Sequence, residues 1–284
     1  MMDIQEISTN LTLGPDEIWY SQDCHEISYP PDGNEACATI EDTSFWFRHR
    51  NNCILSVVIT YPPHDKGTIF DIGGGNGFVA MALAASGFDV VLMEPGRTGA
   101  FNAKSRGVDT VICATPETAK LKSHSLSAIG LFDVVEHIED DLAFLRTLHG
   151  LLRSQGRLYI TVPAYSFLWS GEDESAGHYR RYDRKRICSV IENAGFEVDF
   201  FSYMFRFLPI PIAFFRALPY RIGVMHSKEK ARKLAQDHAA QGGLTSRILD
   251  LMLHSEVENL KRKKSLRFGG SCLVVATKRE DAAI

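Results

Sequence analysis

The stretch Thr68-Ile69-Phe70-Asp71-Ile72-Gly73-Gly74-Gly75-Asn76-Gly77 constrains this chain more than any other. A β-favouring apolar run ends in an acid and then breaks into glycines. A buried strand reads this way where it meets a tight turn before a helix. The helix follows at 78–85 and is closed by Gly87, and a second strand, 88–93, ends in Glu94. Glycines in such a turn let backbone come close to a ligand, and the helix N-terminus offers it free N–H groups. Glu94 lies 21 positions after Gly73, where a ribose-binding carboxylate belongs in a nucleotide-binding strand–helix–strand unit.

A nicotinamide or flavin fingerprint needs glycine at its first, third and sixth positions. Counted from Gly73, the sixth is Phe78, and Asp71 stays unexplained. The arrangement Asp71-x-Gly73-x-Gly75-x-Gly77 instead resembles the first motif of class I S-adenosylmethionine-dependent methyltransferases. The resemblance implies S-adenosyl-L-methionine as cofactor, its methionine half on the glycine turn and its ribose hydroxyls on Glu94. A dehydrogenase, and a turn that holds no ligand, remain as alternatives.

Strands and helices alternate along the rest of the chain. Strands are expected at 109–114, 126–132, 157–162, 197–202 and 271–277, with helices at 99–106, after Ile138 carrying Leu142, Leu145, Leu148 and Leu152, and at 184–194. This is an α/β pattern with helices on both faces of the sheet. With the resemblance it implies a Rossmann-like, mostly parallel, seven-stranded sheet whose last strand is antiparallel. Residues 1–40 are polar, acidic and irregular by pattern, and a helix begins near Ser44 and ends before Pro62-Pro63. The division expected is an N-terminal extension and capping helix at 1–65, a cofactor-binding domain at 66–202 plus 271–284, and a helical insert at 203–270.

Charge is uneven. Residues 1–50 hold ten acids and two bases, a net of −8, whereas 201–270 hold thirteen bases and five acids, a net of +8. The insert also carries Phe205, Phe207, Phe214, Phe215 and Tyr220, then an amphipathic helix with Leu249, Leu253, Val257 and Leu260 in one stripe and Leu244, Ile248 and Met252 in the next. Two arrangements follow. The insert is a lid whose exposed basic face meets an anionic acceptor or lipid headgroups. Or its stripe buries Phe205, Phe207 and Ile210, or meets the same face of a second copy in a homodimer. Six cysteines form no Cys-x-x-Cys pair, no histidine spacing suggests a metal, and Cys113 and Cys272 fall inside strands. No apolar run reaches about 18 residues, and the N-terminus has no basic segment before an apolar one. A cytoplasmic protein is expected, with peripheral contact at the inner face of the membrane through the insert.

Ligands of open α/β sheets sit at the carboxyl ends of the strands. After the fourth strand, Phe132-Asp133-Val134-Val135-Glu136-His137 looks like the Glu-His pair of many class I small-molecule methyltransferases. The resemblance implies a cofactor set of Arg50, Asp71, Gly73, Gly74, Gly75, Glu94, Pro95, Thr115, Leu131 and Phe132. An Asn-Pro-Pro-Tyr motif of nucleic-acid amino methylation is absent, so no nucleic acid is expected. After the fifth strand, Val162-Pro163-Ala164, Leu168-Trp169-Ser170 and Gly177-His178-Tyr179-Arg180-Arg181-Tyr182 resemble an uncharacterised bacterial branch that often accompanies cell-surface polysaccharide or lipid-linked sugar synthesis.

Methyl transfer is an in-line displacement, so the protein mainly positions the nucleophile. A hydroxyl nucleophile needs a base that works near neutral pH, which suits histidine. His178 is the candidate base; otherwise it pins the loop. Trp169, Arg180, Arg181 and Tyr182 are the candidate acceptor-binding residues, with salt bridges to Asp173, Glu174 or Asp183 as the alternative for the arginines. The activity expected is methyl transfer to a small-molecule or lipid-linked acceptor at oxygen; the alternative is a protein of the same fold that binds the cofactor in a non-catalytic regulatory or assembly role.

Overall fold

The computed structural model describes residues 3–23, 33–223 and 244–279. One nine-stranded sheet runs through it: β1 (Leu11–Leu13), β2 (Ile18–Ser21), β3 (Ile69–Ile72), β4 (Val90–Met93), β5 (Thr110–Cys113), β6 (Leu126–Phe132), β7 (Leu152–Pro163), β8 (Phe196–Met204) and β9 (Ser271–Lys278). Their order across the sheet is β1-β2-β5-β4-β3-β6-β7-β9-β8. The block from β2 to β7 is parallel, and β9 lies between β7 and β8, antiparallel to both.

The seven strands expected are β3 to β9, so the count of seven is two short. The correction comes from residues 3–23 and 33–40, which are not irregular. Ile4–Ile7 is a short helix, β1 and β2 form a hairpin, and Gly33–Ala38 is a second helix. β2 pairs in parallel with β5, Ile18 opposite Val111, and Ile18 is fully buried. The hairpin extends the sheet by covering its open β5 edge.

Alternation along the central strands sorts side chains to two cores. Phe70, Ile72, Val91, Met93 and Ile112 face one, while Ile69, Val90, Leu92 and Val111 face the other. Both faces are covered, which is why these strands read as unbroken apolar runs. The first core is closed by Leu145 and Leu148 of helix Asp141–Leu151 and by Ile187 and Ile191 of helix Arg184–Asn193. Side chains of Asp140 and Asp183 accept the first free amides of these helices. Leu152, expected on the first of them, opens β7 instead. The second core is closed by helices Phe45–Thr60, Phe78–Ala85 and Arg97–Arg106.

Between β8 and β9 the chain makes short helical segments, Pro209–Ile212, Ala213–Ala217 and Leu218–Arg221, and then the long helix Leu244–Lys261. The long helix packs on helix Phe45–Thr60. Leu260 is fully buried, and Val257 joins the core that holds Phe205, with Phe207 at its margin. Ile210 does not join them. It is 62% exposed and lines an open surface pocket with Phe207 and with Met252 of the long helix. The side chains of Leu244 and Ile248 lie outside the described residues. Among the described residues no helix is long and apolar enough to cross a membrane.

Candidate functional site

The glycine turn after β3 takes a backbone path that side chains resist. Gly73, Gly75 and Gly77 have φ of +72°, +53° and +80°, the left-handed region that costs other residues roughly 1–2 kcal/mol. Glu94, at the end of β4, fixes the turn from below. Its Oε2 accepts the Gly75 amide at 3.0 Å and its Oε1 the Gly96 amide at 2.8 Å. Asp71 is 1% exposed and accepts a backbone hydrogen bond from Ala80. Burial, with Glu94 adding to it, pushes its carboxyl up to about 7 against the pull of Arg50. The extension closes over the turn: Asn76 donates to Asn34 O at 2.8 Å and to Glu41 Oε1 at 3.1 Å, and Arg106 pairs with Glu41 at 2.8 Å.

Of these groups, Gly73, Gly75, Asp71, Glu94, Asn34 and Glu41 line a cavity of about 860 Å³ at the carboxyl ends of the strands. Of the expected cofactor residues, Arg50, Asp71, Gly73, Gly74, Gly75, Glu94, Pro95, Thr115 and Phe132 are on its wall. Leu131 is not; it is fully buried in the core. Arg50 is 8% exposed and engaged, donating to Phe132 O at 2.7 Å and pairing with Asp133 at 2.5 Å. Thr161 fixes Asp133 by donating to its Oδ1 at 3.0 Å.

The opposite end, after β6 and β7, gathers ionisable side chains. His178 Nδ1 is 2.9 Å from Asp173 Oδ1, and Arg181 Nε donates to the same oxygen at 2.7 Å. Asp173 is 1% exposed and also accepts the Ser170 amide, the cap of helix Gly171–Ala176. Burial pushes its carboxyl up, but the His178 hydrogen bond and the Arg181 charge outweigh burial and leave it below the usual carboxylate range. The His137 ring stands edge-on to His178, centroids 4.8 Å apart, and burial together with His178 lowers it to about 4. Burial, with Asp133 adding to it, raises Glu136 well above the carboxylate range. Burial also raises Glu172, which pairs with Arg216 of the insert at 2.5 Å. Leu208, Pro211, Ile212 and Phe215 of the insert complete this wall.

His178 and Arg181 therefore reach the cavity wall; Trp169, Arg180 and Tyr182 do not. Tyr182 is fully buried and donates to Asp141 Oδ2 at 2.8 Å. Arg180 pairs with the same carboxylate at 2.8 Å, and the Trp169 side chain is hydrogen-bonded to Tyr220. Asp133, Glu172, Arg216, Asn76 and Glu41 escaped the sequence reading. Asn76 lies between two glycines of the motif, and that position was its one signal.

A family model described as a methyltransferase domain matches residues 46–199, more than half of the chain. The chain is 23% identical over 167 residues to a probable S-adenosylmethionine-dependent methyltransferase of Mycobacterium tuberculosis, a match covering 58% of this chain and 60% of that protein. It is 26% identical over 142 residues to the ubiquinone biosynthesis O-methyltransferase of Parvibaculum lavamentivorans, covering 46% of this chain and 56% of the other. These matches span less than two thirds of either relative. The structure is similar to Haemonchus contortus phosphoethanolamine N-methyltransferase 2, solved with phosphomonomethylethanolamine and S-adenosylhomocysteine: TM-score 0.53 at 17% identity, covering 89% of this chain and 58% of that one.

Proposed function

The chain belongs to the methyltransferase domain family and uses S-adenosylmethionine, and we propose that it moves the methyl group to a hydroxyl oxygen of a small-molecule or lipid-linked acceptor. The observation that carries the acceptor half of this reading is His178 on the cavity wall, held from behind by the buried Asp173. A carboxylate can only accept, so Nδ1 of His178 carries the proton, and in the neutral ring Nε2 is the nitrogen with the lone pair. His178 is the group at which the acceptor hydroxyl is activated. The oxygen-methylating relative agrees with this reading, and the nitrogen-methylating neighbour shares only the fold.

The cofactor half rests on the β3, β4 and β5 ends. Glu94 accepts both ribose hydroxyls with its remaining lone pairs, the glycine turn meets the methionine half, and Pro95 and Thr115 border the adenine. Phe132 backbone and Arg50 lie toward the methionine carboxylate. Transfer forms the O–CH₃ bond as the S–CH₃ bond breaks, and its electron pair returns to sulfur, giving S-adenosylhomocysteine. The segments 205–223 and 244–270 form the lid of the acceptor side. The test uses ¹³C-methyl cofactor with cell extract split into polar and lipid fractions. Label in an O-methyl resonance supports the reading. Label on nitrogen, or none in either fraction from a protein that binds S-adenosylhomocysteine, overturns the acceptor half.

A further inference from the structure

We infer that the acceptor end of the cavity is a divalent transition-metal site made by Glu136, His137 and His178. One ligand atom from each of the three lies within 4.8 Å of the other two. Two imidazoles and one carboxylate, with further positions open, is the donor set that suits Mn²⁺, Fe²⁺, Co²⁺ or Zn²⁺. Ligand bonds of about 2.1 Å at right angles put donor atoms roughly 3 Å apart, so small side-chain rotations close the set.

Three independent features make this more than a cluster. Glu136 is 1% exposed, lies on the cavity wall, and its Oε2 has no hydrogen-bond partner among the described residues. A buried carboxylate oxygen without a hydrogen-bond donor is poorly compensated for the loss of water, and a bound cation compensates it. His178 is held through Nδ1 by Asp173, the carboxylate–histidine arrangement that fixes a metal-binding ring and leaves Nε2 to the metal. The amide of Tyr179 donates to Glu136 O at 2.8 Å, so the two loops that carry the ligands are tied together.

A second candidate set, His49, Cys53 and Glu256, serves as contrast. There all three side chains are buried, and Glu256 already accepts from His49 at 2.9 Å and from the amides of Phe205 and Arg206 at 2.8 Å each. That set is closed. The Glu136 set opens on the cavity, where an acceptor oxygen can take a remaining position.

The inference rests on the reading of this wall as the acceptor site and changes one step of it: with the cation bound, Nε2 of His178 is a ligand and acts on the acceptor oxygen through the metal, not as the direct base. The cation lowers the hydroxyl's proton affinity, the proton leaves to water, and the metal-held oxygen attacks the methyl carbon. The experiment measures Mn²⁺ and Zn²⁺ binding to the chelator-stripped full chain by calorimetry and Mn²⁺ electron paramagnetic resonance. S-adenosylhomocysteine is titrated into the same samples. One equivalent of metal is expected, with affinity reduced at least tenfold in Glu136→Gln and in His137→Ala, each still binding S-adenosylhomocysteine as the parent does. That last measurement shows the variants are folded and separates the two readings. No stoichiometric metal in a protein that binds S-adenosylhomocysteine overturns the metal site and leaves the methyltransferase reading standing. Equal metal affinity in the parent and both variants also overturns it.

Discussion

Asp173 and His178 are held 2.9 Å apart by the one-turn helix Gly171–Ala176, whose capping box puts the carboxylate under the loop that returns the histidine to the cavity. The pair sets the tautomer of His178 before any acceptor arrives. His178→Ala should lower turnover roughly 100-fold or more, the usual scale for losing a proton-transfer group, with S-adenosylhomocysteine affinity little changed. A stable variant with an intact turnover number removes His178 from the chemistry.

Glu94 bridges the Gly75 and Gly96 amides. It both shapes the turn and faces the cavity, so its loss acts twice. Losing a hydrogen bond to a charged group costs roughly 1.5–3 kcal/mol. Glu94→Ala should therefore weaken S-adenosylhomocysteine on the order of 10–100-fold, and Glu94→Gln, which keeps an acceptor oxygen, should weaken it less. Calorimetric titration of both variants checks the order; equal affinity in all three proteins moves the ribose away from Glu94.

What was legible in the sequence follows from burial. β6 and the helix Phe78–Ala85 match their expected bounds because each is a mostly apolar run bounded by loop residues or glycines. The hairpin was hidden because β1 is three residues long and mostly exposed, which leaves no alternation to read. Tyr182 read as a loop aromatic free to meet an acceptor, yet its hydroxyl is tied to Asp141, 41 positions away. Glu256 was missed for the same reason: on a polar-looking stretch of helix, nothing local marks a carboxylate that caps distant amides.

Asp71 gives a pH prediction. Its carboxyl, raised to about 7, is faced by Arg50, which favours the charged form, and by Glu94 and its own burial, which oppose it. A carboxyl raised in the folded state contributes stability that is complete below its unfolded value near 4 and is lost as pH rises through 7. The cofactor-free protein should lose part of its thermal stability between pH 4 and pH 8. Asp71→Asn, whose amide oxygen can still accept from Ala80, should flatten that slope and raise the melting temperature at pH 8. Parallel slopes in the two proteins mean that Asp71 is not the titrating group.

Glu256 holds the insert to the rest of the chain. It is fully buried, accepts the Phe205 and Arg206 amides, and meets His49 of helix Phe45–Thr60. Phe205 has φ of +60°, a strained turn that this carboxylate stabilises. Removing one partner of a buried pair costs about 3–5 kcal/mol. Glu256→Ala should lower unfolding stability by an amount of that order and expose the insert to limited proteolysis. A urea midpoint within error of the parent, with unchanged cleavage, shows that the insert is held by its apolar contacts alone.

The last prediction concerns the surface beside the lid. Lys261 ends the long helix, Arg262, Lys263 and Lys264 follow it, and all four are exposed. Lys261 pairs with Glu258, and Lys263 stands over the Tyr61 ring at 4.9 Å. Both contacts leave a positive charge at the surface. On the insert, Ile210, Phe214, Phe215, Leu218 and Ile222 are between 49% and 64% exposed, and Phe215 also reaches the cavity wall. Basic side chains beside exposed aromatic and aliphatic ones suit a layer of anionic headgroups over acyl chains. A lid that admits a lipid-linked acceptor has use for such contact; one that admits a free small molecule does not. Vesicles containing anionic lipid should therefore co-sediment with the protein at low salt, and less so as salt screens the charges. Changing the four basic residues to Gln should weaken binding by roughly 1 kcal/mol per charge that lies near the surface. Phe214→Ser should weaken it without altering its salt dependence. Failure to sediment with anionic vesicles at every salt concentration removes the membrane contact and leaves the lid over a soluble acceptor.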